Sequence, residues 1–221
     1  MRGLRMSVLP VTVVAHLTAI ATTALVLVWL LKLRGGLAWN AQPPASFKVF
    51  NVHPLVMVIG FVLVSGEGIM AYKIIGGRRR VRKASHLALH LIALFAGVFG
   101  VVAVFRYRHQ IEAQHMITLH SWLGIITVAS FALQFVLGAV FYMFRGAAQT
   151  SAKASYLPWH IFVGSIIFLM AVGTALTGIV QQFAILGLGN DQEGHIVNSI
   201  GLLLVLFAAT VGLTVVLPYE K

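Results

Sequence analysis

The sequence predicts an all-α integral membrane protein with six transmembrane helices, because it is very apolar, its apolar runs are long, and its basic residues lie between those runs. Of its 221 residues, 59% are hydrophobic and only 10% are charged, against roughly 25% charged residues in an average soluble domain. The mean hydropathy is +0.94. So few charged side chains cannot cover the surface of a water-soluble protein of this length. The chain has no cysteine, which excludes disulfides, zinc–thiolate sites and iron–sulfur clusters of its own.

Each predicted helix follows from a stretch of about 20 apolar residues, the length that crosses a hydrocarbon core of about 30 Å. The predicted helices are 8–31, 52–72, 85–105, 116–144, 158–181 and 196–217. The first follows two arginines, as a signal peptide would, but its apolar run exceeds the about 7–15 residues of a signal sequence. The second continues past Glu67, the one acid inside a span. The fourth and fifth charge-free runs exceed one span and therefore include loop residues. Loops are short, so residues 1–221 form one domain.

The basic residues predict the orientation of the helices. Six spans put both termini on one side, together with the basic 73–83 loop. Eleven basic residues lie on that side, namely Arg2, Arg5, Lys73, Arg78, Arg79, Arg80, Arg82, Lys83, Arg145, Lys153 and Lys221. Five lie on the other side, namely Lys32, Arg34, Lys48, Arg106 and Arg108. The positive-inside rule therefore places both termini in the cytosol. The net charge of +11 reflects this topology and does not indicate a nucleic-acid partner.

Four histidines open four consecutive spans in alternation. His53 and His120 begin the second and fourth helices on the non-cytosolic side, and His86 and His160 begin the third and fifth on the cytosolic side. Ionisable groups inside a membrane are costly and mark functional sites. The alternation predicts two pairs, each at one depth, contributed by different helices.

The other histidines have simpler interpretations. His16 and His90 are expected to bond to neighbouring helices, although His90 is also placed to contact a haem propionate or a substrate. His109, His115 and His195 lie in loops on the non-cytosolic side.

Paired histidines from different helices suit the two axial positions of a haem iron. Two histidines on one helix at positions i and i+4 point the same way, so His86 and His90 cannot bind opposite faces of one macrocycle. Each ligand helix also carries a glycine on the ligand's face, namely Gly60, Gly97, Gly124 and Gly164. These glycines either make room for a flat cofactor or only let helices pack closely.

Two such haems would lie on the order of 20 Å apart along the bundle, given a rise of 1.5 Å per helical residue. This arrangement predicts a transmembrane electron path. The sequence has no nucleotide or flavin fingerprint, so the electron donor is expected to be a small reductant that docks at the membrane face.

These residues resemble the cytochrome b-561 family of ascorbate-dependent transmembrane oxidoreductases. The matching stretches are RGGLAW (34–39), FNVHPLVMVIG (50–60), GEGIMAYK (66–73), SHLALHLIAL (85–94), LHSWLG (119–124) and PWHIFVG (158–164). The resemblance implies that helices 2 to 5 form a four-helix bundle around two haem b groups, with a haem-binding core at about 50–181. It implies that His53 and His120 bind the non-cytosolic haem iron, and that His86 and His160 bind the cytosolic one.

The resemblance also implies electron transfer from cytosolic ascorbate to monodehydroascorbate or a ferric chelate across the membrane, in a homodimer. The plant members are most similar, and an endomembrane, vacuolar or vesicular, is favoured over the plasma membrane.

Substrate residues are predicted at both faces. Cytosolic ascorbate, an anion, is expected to meet Lys73, Arg79, Arg80, Lys83, Arg145 and Lys153. Lys83 lies one turn before His86 and is predicted to act directly in catalysis; the alternative for any of these cations is topology alone. The non-cytosolic acceptor is expected to meet Arg106, His109 and His115, with His109 as the catalytic residue. The family's tyrosine and serine before the helix 4 histidine are absent from the stretch 116–119, which leaves the acceptor's binding mode open.

Two other functions compete with this interpretation. One is a divalent-metal transporter with histidine ligands, although a transport path needs polar groups at the midplane. The other is a haem-anchoring subunit of a larger redox complex. Glu67 is level with the cytosolic haem, and is expected either to bond a neighbouring helix or to accept a proton.

Overall fold

The computed structural model describes residues 8–143 and 150–217, and every long element in these ranges is a helix. The six helices are α1 (Val8–Leu33), α2 (Phe47–Ile74), α3 (Arg79–Gln110), α4 (Leu119–Tyr142), α5 (Thr150–Ile185) and α6 (Gln192–Val216). Each is long and apolar enough to cross a membrane. The predicted all-α protein with six spans is confirmed.

Several helices extend beyond their predicted bounds. α2 begins at Phe47 rather than 52, α3 spans Arg79–Gln110 rather than 85–105, and α5 begins at Thr150 with Pro158 inside it. An apolar run marks only the part of a helix that lies in hydrocarbon, and the backbone hydrogen bonds continue into the polar interface. α4 instead begins late, because Thr118 caps it by accepting a hydrogen bond from the backbone nitrogen of Ser121.

The helices pack as three main pairs: α1 against α6, α2 against α3, and α4 against α5. The pairs α2–α3 and α4–α5 carry the four predicted ligand histidines, and they meet through α3 with α4 and α2 with α5. Buried aromatic side chains fill the centre, including Phe61, Phe131, Phe168 and Phe207. The site is therefore formed between two helical hairpins.

A π-helical segment, Val56–Leu63, interrupts α2 between its histidine and its glutamate. Such wide turns rotate the residues that follow and are frequent at functional sites. Gly60 lies in this segment, and a Cβ there would be 2.6 Å from Cβ of Ala96 on α3. A Cβ on Gly97 would be 3.1 Å from the ring of Phe61. These two glycines let α2 and α3 approach closely, which was the second of the two interpretations given above.

Polar contacts fasten α1 and α6 to the rest of the bundle. Trp29 donates to Glu193 at 2.7 Å, and Nδ1 of His16 lies 2.9 Å from the carboxylate of Glu67 on α2. The latter contact is the helix-to-helix bond expected for both residues. Lys73 donates to the carbonyl oxygens of Val215, at 2.9 Å, and of Leu217. A cation at the C-terminal end of a helix is stabilised by the partial negative charge of the free carbonyls.

Candidate haem sites and electron path

The structure brings the four predicted histidines together as two pairs. The ring centroids of His53 and His120 are 6.0 Å apart, and those of His86 and His160 are 6.2 Å apart. Two imidazoles that bind one metal from opposite sides, with metal–nitrogen bonds of about 2.0–2.1 Å, have ring centroids about 6.3 Å apart. Both pairs thus stand at the separation that a shared iron requires.

Three of these rings have their orientation and proton fixed by a backbone carbonyl. Nδ1 of His53 donates to Gly100 at 2.9 Å, Nδ1 of His86 donates to Gly68 at 2.8 Å, and Nδ1 of His120 donates to Thr174 at 2.9 Å. A carbonyl oxygen can only accept, so the proton is on Nδ1 and the lone pair is on Nε2. Metal-binding histidines are held by a hydrogen bond of this kind at the second nitrogen.

The fourth ring, that of His160, has a different neighbour. Nε2 of Gln134 lies 3.0 Å from its Nδ1 and donates to the backbone oxygen of His160 at 2.7 Å. This contact comes from a side-chain amide, which carries both a donor and an acceptor.

Two glycines that the sequence analysis did not select lie against the ligand rings. A Cβ on Gly178 would be 2.7 Å from Cε1 of His120, and one on Gly138 would be 3.1 Å from Cε1 of His160. The sequence does hold a signal for them. Each glycine follows the histidine of its own helix by 18 residues, which is five helical turns, so it lies on the ligand face at the depth of the other pair.

The remaining two predicted glycines have mixed outcomes. Gly124 lines the cavity beside His120, as expected for a glycine that makes room for a cofactor. A Cβ on Gly164 would be 3.4 Å from the amide nitrogen of Gln134. Gly164 therefore makes room for that side chain.

A cavity of about 400 Å³ encloses the first pair, a size typical of ligand pockets. Its inner wall includes Phe61 and Gly178, and its mouth includes Arg34, Arg108 and His115. An apolar cavity with converging histidines and cations at its mouth suits a flat apolar cofactor with acidic substituents. We call this mouth the Arg108 mouth.

The two pairs lie about 21 Å apart along the helices, because each ligand is 14 or 15 residues from the partner of another ligand on the same helix. Aromatic rings connect the two levels. His90 lies 4.3 Å from His86 and 5.5 Å from Phe131, and Phe131 lies 5.0 Å from Phe61, all between centroids. Phe61 also lines the cavity of the first pair. His90 thus belongs to the packed region between the pairs.

The opposite mouth, beside His86 and His160, is formed by cations and tyrosines. Lys83 is close enough to Lys153 and Arg79 for the three positive charges to repel one another. The rings of Tyr72, Tyr142 and Tyr156 lie 5.2 to 5.8 Å from the histidine rings of this pair. We call this the lysine mouth.

Not every predicted cation faces the lysine mouth in the same way. Lys73 is occupied by the end of α6, as described above, and Arg80 is exposed. Arg145 lies outside the described residues, as do Arg2, Arg5 and Lys221. Lys83 and Lys153 are therefore the predicted substrate residues that the structure most clearly brings together.

At the Arg108 mouth the three predicted residues separate. Arg106 donates to the backbone oxygen of Trp39 at 2.9 Å and to the side chain of Asn40, so it holds the loop between α1 and α2. His109 is exposed and is not among the residues that line the cavity. His115 stacks on Phe105 at 4.8 Å and does line it.

Known proteins resemble this chain over nearly its whole length. The family model for eukaryotic cytochrome b561 matches residues 52–186. "Transmembrane ascorbate ferrireductase 1" of Arabidopsis thaliana is 36% identical over 216 residues, covering 96% of this chain and 89% of that protein. "Probable ascorbate-specific transmembrane electron transporter 1" of Oryza sativa subsp. japonica is 37% identical, covering 98% and 93%.

An animal relative agrees with the plant ones. "Transmembrane ascorbate-dependent reductase CYB561" of Sus scrofa is 38% identical over 201 residues, covering 88% of this chain and 76% of that protein. The matched region contains all four paired histidines and the six-helix chain around them. The chain belongs to the eukaryotic cytochrome b561 family of transmembrane oxidoreductases.

Proposed function

We propose that this protein carries electrons across a membrane from ascorbate, through two haem b groups, to monodehydroascorbate or a ferric chelate on the other side. The observation that carries the proposal is the pair of histidine pairs, each at the separation for one iron, at two depths of one bundle. The names of the relatives support the donor and the reaction class.

The residues of both sites fit a haem held by two axial histidines. When bound, such a group supplies a one-electron couple between ferric and ferrous iron. The chain's part is to hold the imidazoles at Nδ1, so that Nε2 points at the metal, and to keep Gly178 and Gly138 free of side chains that would displace the rings. Because imidazole takes both axial positions, the site is suited to electron transfer rather than to binding a substrate at the metal.

Ascorbate is proposed to dock at the lysine mouth, on the cytosolic side given by the positive-inside rule. It is a monoanion at neutral pH, and Lys83, Lys153 and Arg79 concentrate positive charge beside the second pair. Such a charged cleft raises the local concentration of an anion and its rate of encounter. Lys83 is the residue proposed to hydrogen-bond the bound anion, since it lies one helical turn before His86 on α3.

The acceptor is proposed to dock at the Arg108 mouth, where Arg34 and Arg108 face the cavity of the first pair. Monodehydroascorbate and ferric chelates such as ferric citrate are anionic, so these cations suit either. His115 replaces His109 as the residue that we expect to contact the acceptor, because it lines the cavity whereas His109 is exposed on the end of α3.

Apolar packing between the two levels supports electron transfer over metal transport. Phe61 and Phe131 fill the midplane, and among the residues that the structure describes no three histidine, cysteine or acidic side chains form a metal-binding group. A transport path would need polar ligands there. The homodimer and the endomembrane location remain proposals that rest on the resemblance.

The proposal is tested with purified protein in liposomes. We expect a pyridine haemochrome assay to give two haem b per chain and the reduced spectrum to have an asymmetric alpha band. Ascorbate trapped inside should reduce external ferric citrate, whereas liposomes without protein should not. One haem or none per intact chain, or no transmembrane reduction, would contradict the proposal. A haem-anchoring subunit would show haem that ascorbate alone does not reduce.

A further inference from the structure

Gln134 is a polar side chain near the cytosolic end of α4, between apolar residues. A side-chain amide that is removed from water is unfavourable unless it finds hydrogen-bond partners. Its partners are both on His160, namely the ring Nδ1 and the backbone oxygen. An amide placed on a predicted iron ligand suggests a role at the site itself.

The position of Gln134 has a counterpart at the other site. Gln134 and Gly138 contact His160 from α4, as Thr174 and Gly178 contact His120 from α5, with the same spacing of four residues. At the first site the partner is the carbonyl of Thr174. At the second site the side chain of Gln134 takes that place.

The difference matters because a backbone carbonyl dictates the tautomer and an amide does not. If the amide NH2 donates to Nδ1 of His160, the ring proton must be on Nε2, and this nitrogen cannot bind iron. If the amide oxygen accepts from Nδ1, then Nε2 keeps its lone pair and can bind iron. The two ends of an amide have nearly the same shape, so rotation exchanges them in place. The backbone oxygen of His160 then keeps the bond to the backbone nitrogen four residues later.

We propose that Gln134 is the positioning residue of His160: its amide oxygen accepts the Nδ1 proton when haem is bound, and this bond tunes the electron affinity of the cytosolic haem. A strong acceptor at Nδ1 makes an imidazole a better electron donor to the metal and stabilises the ferric state. This inference rests on the proposed function, since it assumes a haem between His86 and His160.

The test uses Gln134→Met, which keeps length and volume but removes the amide, and Gln134→Glu, which keeps an acceptor oxygen. Ser130→Ala, one turn earlier on α4, is the matched control. Haem content, redox titration of each haem and low-temperature electron paramagnetic resonance are measured on the purified full chain. Counting haems in the unsubstituted protein first separates a failure of the proposed function from a failure of this inference.

We expect Gln134→Met to raise the midpoint potential of the cytosolic haem alone, to change its resonance signal, and to weaken its binding by about 10- to 100-fold. Gln134→Glu should restore the haem content and lower the potential instead. Ser130→Ala should resemble the unsubstituted protein. Equal shifts of both haems, no shift in Gln134→Met, or equal loss of haem in Gln134→Met and Gln134→Glu would overturn the inference.

Discussion

The His53–His120 site and the His86–His160 site occupy equivalent places in the bundle but have different surroundings. The first is enclosed in a cavity, and both of its rings donate to backbone carbonyls. The second is surrounded by tyrosines and lysines, and one of its rings contacts a side-chain amide. Backbone acceptors persist through substitution, whereas a side-chain acceptor does not. The comparison teaches that the ligand spacing is common to both sites and that the properties of the second site depend more on individual side chains.

Removing a ligand should have the largest effect and should break the equivalence of the two sites. We expect His86→Ala and His160→Ala to leave one haem and to abolish reduction by ascorbate. His53→Ala and His120→Ala should also leave one haem, but ascorbate should still reduce it, because the lysine mouth is intact. Haem content and ascorbate-dependent spectra measure both results. Ascorbate reduction that survives in His86→Ala would reverse the assignment of the two faces.

The glycines that face the rings should show a graded effect. In Gly178→Ala the new methyl group would lie 2.7 Å from His120, so the ring must move, and we expect about 10- to 100-fold weaker binding of the first haem. Gly138→Ala, at 3.1 Å from His160, should weaken the second haem less. Gly173→Ala is the control, because its Cβ would meet nothing within 4 Å. Full haem content in Gly178→Ala would show that this contact does not constrain the ligand.

The lysine mouth allows direct binding to be distinguished from steering. Lys83→Ala should lower kcat/KM for ascorbate by roughly tenfold to a hundredfold, the loss of a hydrogen bond to a charged group worth about 1.5–3 kcal/mol. This loss should be nearly independent of salt. Arg80→Ala should cost less than about tenfold and mainly at low salt, since exposed charges are screened. Stopped-flow haem reduction at two salt concentrations measures both. Equal, small and salt-sensitive losses would mean that the cations only steer the anion.

The smallest expected effect is at the Arg108 mouth, where it decides between two histidines. We expect His115→Ala to slow reduction of ferric citrate several-fold, which corresponds to about 1 kcal/mol for one neutral hydrogen bond. Reduction of the haems by ascorbate should be unchanged. His109→Ala should match the unsubstituted protein in both measurements. A slow acceptor step in His109→Ala alone would restore the sequence-based prediction and contradict the assignment to His115.

The sequence by itself determined the membrane class, the six spans and the alternation of His53, His86, His120 and His160. Hydropathy and a rise of 1.5 Å per residue are properties of a single helix, so they can be read without knowing its neighbours. Tertiary structure alone decided which carbonyl or amide holds each ring, that Gly178 and Gly138 make room for it, and that His115 rather than His109 lines the cavity. These facts depend on how separate helices are rotated against each other, and the π-helical segment Val56–Leu63 changes that rotation within α2. Contacts between residues far apart in the chain leave no local pattern, because each helix face is defined only by the helix that packs on it.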